Sequence, residues 1–283
     1  MPDTIRKPAV AGQFYPASGM GLVRQIEASF MSELGPGDLP EVHEHGSRRI
    51  VGVVSPHAGY VFSGATAAHA YDALASDGHP DVVVVIGVNH GHAGTHSAVQ
   101  TSGAWRTPLG DLKIADDVAE AISAQLPQFQ TSADAFFGEH SLEVQLPFLQ
   151  YLYEEALLFV PVMMGAQDIG AARELGHAVA QALEGRDAVV VASTDMTHYQ
   201  PAATARRQDQ VLIDRIEALD AEGLLAERDS RRISMCGAGP VAAMLLAAGE
   251  LGGTTVRSLA YSTSGDVVPG PEVVGYYAAV VLR

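Results

Sequence analysis

The residues of this chain best suited to chemistry stand directly after runs of apolar side chains. His57 follows Ile50-Val51-Gly52-Val53-Val54-Ser55-Pro56, and His90 follows Val82-Val83-Val84-Val85-Ile86-Gly87-Val88-Asn89. Asp195 and His198 follow Ala188-Val189-Val190-Val191-Ala192-Ser193-Thr194. Imidazole is the commonest metal ligand and the side chain whose ordinary titration lies nearest neutrality. A carboxylate three residues before a histidine, as Asp195 stands before His198, can orient the ring and stabilise its protonated form, which suits a general acid/base. The competing reading makes Asp195 a turn cap and leaves His198 exposed. Cys236, in Met235-Cys236-Gly237-Ala238-Gly239-Pro240, precedes an apolar helix whose amino terminus would favour a thiolate; a buried, inert thiol is the alternative.

Two further histidines stand close to this group in sequence. His140 and Glu143 repeat the three-residue spacing within Glu139-His140-Ser141-Leu142-Glu143, either as supporting partners of a site or as a salt bridge at a helix start. His92 competes with His90, since residues two apart in an extended segment face the same way. His90 is preferred because it is nearer the end of its strand. Neutral imidazoles suit iron, copper or zinc, whereas magnesium or calcium would need an oxygen cage that the sequence does not offer.

These residues can meet only if the elements that carry them are parallel. The valine-rich runs read as strands buried on both faces, and the periodic segments between them read as helices, at about residues 18–34, 64–76, 115–126, 171–183, 203–218 and 238–249. A segment at 137–155 is expected to kink or restart at Pro147. Apolar strands are expected at about 157–163, 255–261 and 273–282, and residues 101–112 read as a structured loop. Alternation of this kind predicts an α/β fold: one domain over residues 1–283 with a central, mostly parallel or mixed sheet and helices on both faces. The carboxyl edge of such a sheet is where ligands bind. His57, His90, Asp195 and His198 would then converge there.

Composition narrows the field. Of 283 residues 47% are hydrophobic, enough for a sizeable core, and 17 basic against 33 acidic residues give a formal charge of −16. That charge disfavours nucleic acid and anionic membranes as partners. A single cysteine excludes an internal disulfide, no apolar run approaches the roughly 20 residues of a membrane span, and the amino terminus lacks a signal-peptide pattern. A soluble cytoplasmic protein is the expectation. Neither a dinucleotide fingerprint, a phosphate loop, a nucleophile elbow nor a His-Glu-xx-His zinc motif is present.

Six separated motifs, in order and over nearly the whole length, resemble those of the Memo family, the protein B type of the AmmeMemoRadiSam system. They are Ala11-Gly12-Gln13-Phe14-Tyr15-Pro16, Ser55-Pro56-His57-Ala58-Gly59-Tyr60, Trp105-Arg106-Thr107-Pro108-Leu109, Glu139-His140-Ser141-Leu142-Glu143, Ser193-Thr194-Asp195-Met196-Thr197-His198 and Met235-Cys236-Gly237. The resemblance implies a fold like that of class III extradiol dioxygenases, with metal ligands at His57, His90 and Cys236. It also implies Asp195 and His198 in the pocket, His198 as the acid/base, and His140, Glu143, His92 and Tyr60 in or beside it. Those dioxygenases use a carboxylate where this chain offers Cys236, and a thiolate alters an iron's charge and redox behaviour.

Three functions follow as expectations. The first is a non-haem iron(II) oxidoreductase acting on a small molecule, with copper or zinc as alternative metals. The second is a non-catalytic protein that binds a metal, a peptide or a protein partner, and the third is a zinc hydrolase using the same pocket. Self-association is expected to be easy for a chain of this size.

Overall fold

A computed structural model describes residues 4–91, 96–154 and 157–283. Its described strands all join one mixed sheet, ordered β1 (Ile5–Arg6), β5 (Ala104–Thr107), β6 (Gly110–Ile114), β7 (Leu158–Met164), β3 (Val82–Val88), β8 (Ala188–Ser193), β2 (Ile50–Ser55), β10 (Gly275–Leu282) and β9 (Thr255–Thr263), with β4 (Ala98–Val99) beside β7. The run from β6 to β2 is parallel throughout. Antiparallel β10 and β9 close one side of it. The central strands β2, β3 and β8 are buried along their whole length, which is why their sequences are valine-rich runs without polar alternation.

Helices cover both faces. One layer holds α1 (Gly19–Met31), α2 (Tyr60–Asp77) and α4 (Leu146–Tyr153); the other holds α3 (Asp116–Gln125), α5 (Ile169–Ala182), α7 (Ala221–Arg231) and α8 (Ala238–Glu250). Ser18 caps α1 by accepting the Gly21 N–H, as its sequence suggests. The other long helix, α6 (Ala202–Glu217), packs on α7 and β9. Two expectations need correction. Residues 101–112 are not a loop but mostly the β5–β6 hairpin, which turns at Pro108 and Leu109. The segment 137–155 is helical only from Glu143, as a 3₁₀ turn at Glu143–Gln145 and then α4, with Pro147 in the first turn where its missing N–H costs nothing.

Because β7, β3, β8 and β2 are parallel neighbours, their carboxyl ends share one edge, and the segments that follow them meet there. The amino-terminal segment folds against this edge through Glu143, which is fully buried. Its carboxylate accepts hydrogen bonds from Arg6 (2.5 Å), the N–H groups of Ala9 (2.7 Å) and Val10 (3.0 Å), and the Tyr15 hydroxyl (2.5 Å). Arg6 also donates to the carbonyls of Phe136 and Glu139 and stacks over Trp105. Glu143 therefore serves the amino-terminal segment rather than the histidines. Replacing it with alanine leaves a buried guanidinium without its counter-charge and three other donors without an acceptor. Glu143→Ala is expected to cost about 3–5 kcal/mol in denaturant unfolding; a loss below about 1 kcal/mol would contradict this role.

Candidate metal centre

His57 leaves β2 and lies 2% exposed at the sheet edge, where Pro56 has ended the strand. A buried imidazole needs a partner for each nitrogen that water can no longer reach. Its Nδ1 is 2.9 Å from Ser193 Oγ, at the end of neighbouring β8. That hydroxyl already donates its one hydrogen to the Ser141 carbonyl (2.6 Å) and accepts from Gln145 Nε2 (2.7 Å). Gln145 Nε2 is identified as the amide nitrogen because it also meets the Pro56 carbonyl, while its oxygen accepts from Tyr71. Ser193 can therefore only accept from His57, so Nδ1 carries the proton and Nε2 keeps its lone pair. Burial, with lesser contributions from His90 and His140, pushes the ring's pKa well below the usual histidine range, which keeps it neutral.

His90 stands in the loop after β3, and its tautomer is fixed in the same way. Nδ1 is 3.0 Å from Glu139 Oε1, and its backbone N–H donates to Oε2 at 2.6 Å. Burial alone would raise the pKa of Glu139, but its hydrogen bonds to His90 and to nearby backbone hold it down to about 2. Glu139 is thus ionised and can only accept, so His90 donates from Nδ1, and in the neutral ring Nε2 carries the lone pair.

His140 comes from the turn before α4, and Ser141 ties that turn to β3 by accepting the Val88 N–H and donating to the Val88 carbonyl. Gly87 makes this approach possible, since a Cβ there would sit 2.5 Å from Ser141 Oγ and 2.6 Å from Leu142. Phe14, from the amino-terminal segment, packs edge-on against the His140 ring at 4.8 Å. One ring nitrogen from each of His57, His90 and His140 lies within 4.8 Å of the others. His90 and His140 are nearly parallel at 4.6 Å, and His57 is edge-on to both. Burial lowers the pKa of His140 as well.

Cys236 lies on the far side of His57, with Sγ 3.3 Å from His57 Nε2, but outside the group of three whose donor atoms all lie within 4.8 Å of one another. Its position is fixed by the start of α8: Thr194 Oγ1 accepts the Gly237 N–H, and Gln167 spans the Cys236 carbonyl and the Gly239 N–H. Gly237 lies so close to β8 that a Cβ would stand 2.5 Å from the Ser193 carbonyl. Burial, reinforced by the Asp195 carboxylate, pushes the thiol up to about 12, so the metal-free form is S–H.

The remaining expected residues divide. Asp195 is buried, and Oδ1 accepts the N–H groups of His57 (2.8 Å) and Ala58 (3.3 Å); burial raises its pKa. His198 is not oriented by Asp195: its Nδ1 lies 2.9 Å from the Ser234 carbonyl, so it donates there. It is still close enough to affect both Asp195 and His57 electrostatically. Tyr60 is a core residue whose hydroxyl donates to the Val144 carbonyl, and His92 lies outside the described residues. Among the described residues the site gains Glu139, Ser193, Gln145 and Gln167, and His140 moves from its edge into its centre.

The chain can now be compared with known proteins. The family model described as Memo-like protein matches residues 6–280. The chain belongs to the Memo family. The MEMO1 family protein MK0963 of Methanopyrus kandleri is 48% identical over 280 residues, covering 98% of this chain and 99% of its own. MTH_45 of Methanothermobacter thermautotrophicus, also a MEMO1 family protein, is 47% identical over 275 residues, covering 96% and 98%. A crystal structure of the uncharacterized protein JW3007 from Escherichia coli K12 superposes with a TM-score of 0.52 at 14% identity, covering 83% of this chain and all of that one. That likeness concerns the fold. The matched range includes the segments that meet at this sheet edge.

Ser193→Ala removes the acceptor for both His57 Nδ1 and Gln145. It is expected to cost about 1–3 kcal/mol in unfolding and to release His57 from a single tautomer in ¹⁵N NMR. Retention of the Nδ1–H form at unchanged stability would contradict the assignment.

Proposed function

We propose that the chain is a transition-metal protein whose metal, iron(II) in the first reading, is held by His57, His90, His140 and Cys236 and serves the oxidation of a small molecule. The observation that carries this is the convergence of three imidazoles, two of them with the proton assigned to Nδ1 and the lone pair left on Nε2. The donor set fits a borderline or soft metal. Three nitrogens and one thiolate suit iron, copper or zinc and disfavour magnesium or calcium. The 3.3 Å between Cys236 Sγ and His57 Nε2 is close to the roughly 3.6 Å expected for sulfur and nitrogen on one tetrahedral centre.

A bound iron(II) would supply one-electron chemistry and a Lewis-acid centre. The protein's own groups do the rest. His198, fixed through Nδ1 to Ser234, takes or gives a proton at Nε2. Asp195 holds the backbone at His57 and Ala58, so that the ring enters the site at one angle. A cavity of about 690 Å³ lies beside His90 and His140, lined in part by Asn89, His96, Asp134 and Phe137, and is large enough for a small organic substrate.

A second reading rests on the same donors. If all four bind at once, a tetrahedral metal has no open position, as in structural sites, and the protein would store or hand on its metal. Anaerobic purification followed by metal analysis and oxygen-uptake assays separates the readings. We expect about one iron per chain, lost in His57→Ala and His90→Ala, and oxygen consumption with a phenolic or other small substrate. Iron binding with no turnover across broad substrate screens would favour the storage reading. Hydrolysis supported by zinc without oxygen would favour a hydrolase, and absence of any bound metal would overturn all three.

A further inference from the structure

Glu139 stands between the two histidine-bearing loops and is 2% exposed. Its Oε1 accepts from His90 Nδ1 (3.0 Å) and from the N–H groups of His140 (2.8 Å) and Ser141 (2.7 Å); its Oε2 accepts the His90 N–H (2.6 Å). Four donors satisfy the acceptor capacity of one carboxylate. Arg6 holds the Glu139 backbone through its carbonyl. The Glu139 side chain thus touches both His90 and His140 through hydrogen bonds.

We infer that Glu139 is a positioning residue: it sets the tautomer and orientation of His90 and fixes His140 beside it, so that both rings face His57. As an effect on metal binding, this rests on the proposed metal site. A staple between two loops needs only the three backbone contacts. The fourth, to Nδ1, has a different consequence, since it decides which nitrogen of His90 keeps its lone pair. A carboxylate one hydrogen bond behind a metal-binding imidazole increases its basicity and holds its plane. It also places a negative charge near a dication whose only charged ligand here would be the Cys236 thiolate. The chain thus keeps a carboxylate in the site while presenting nitrogen and sulfur to the metal.

Two measurements on the full-length protein test this separately. In the metal-free protein, long-range ¹⁵N–¹H NMR is expected to show His90 as one Nδ1–H tautomer. In Glu139→Gln the amide NH₂ would oppose the backbone donors, and His90 should become a mixture or shift to Nε2–H. Glu139→Asp keeps the charge with a shorter reach and should fall between the two; it serves as the test if the glutamine variant does not fold. A folded glutamine variant, or failing that an aspartate variant, in which His90 keeps a single Nδ1–H tautomer would overturn the inference, whatever the metal data show. Zinc competition titrations then examine the site it rests on. The dissociation constant should rise about 10–100-fold in Glu139→Gln, with binding lost in His57→Ala. A native protein that binds no zinc, yet shows the tautomer change, would remove the metal site and leave Glu139 as the group that orients His90.

Discussion

A buried imidazole must have both of its nitrogens accounted for, and the architecture of this protein follows from how that is done for His57. Its Nδ1–H is absorbed by Ser193, whose hydroxyl is itself saturated by Gln145 and the Ser141 carbonyl. One hydrogen-bond cluster thereby joins the ends of β2 and β8 to the turn before α4. The remaining nitrogen meets Cys236, and the ring stands edge-on to His90 and His140. Removing that constraint would leave a neutral ring free to flip, and the other donors would have no fixed centre to face.

The same economy recurs around it. Glu139 does for His90 what Ser193 does for His57, and the Ser234 carbonyl does it for His198. Each ring engages the scaffold through Nδ1. The scaffold groups are held in turn, through Arg6 for Glu139 and through Thr194 and Gln167 for the start of α8 beside Cys236. Rigid elements with short loops give the precision that a metal site needs. The large parallel sheet supplies that rigidity, and its edge supplies the opening.

Much of this was legible in the sequence, because buried parallel strands write themselves as unbroken apolar runs and the polar residue after each run falls at the same edge. His57, His90 and Asp195 were visible for that reason, and Cys236 because it stands just before an apolar helix. His140 was harder to place at the centre, since it follows no strand and reaches the edge only because Ser141 grips Val88 over Gly87. Glu143 and Glu139 share one short motif, and spacing alone favoured the wrong carboxylate: the pairing that matters runs from Glu139 back to a loop 49 residues earlier. Likewise the three-residue interval from Asp195 to His198 suggested a direct contact, but the backbone N–H and Nδ1 of His198 both meet Ser234 instead. Partners set by tertiary contact leave no periodic signal.

The central claim is that the ring nitrogens of His57, His90 and His140 and the Cys236 sulfur surround one metal. X-ray absorption at the metal edge of anaerobically loaded protein measures that directly. The account predicts nitrogen scatterers at about 2.0–2.1 Å with the multiple-scattering pattern of imidazole, together with one sulfur at about 2.3 Å. A shell of oxygen atoms alone, with neither imidazole nor sulfur, would contradict it.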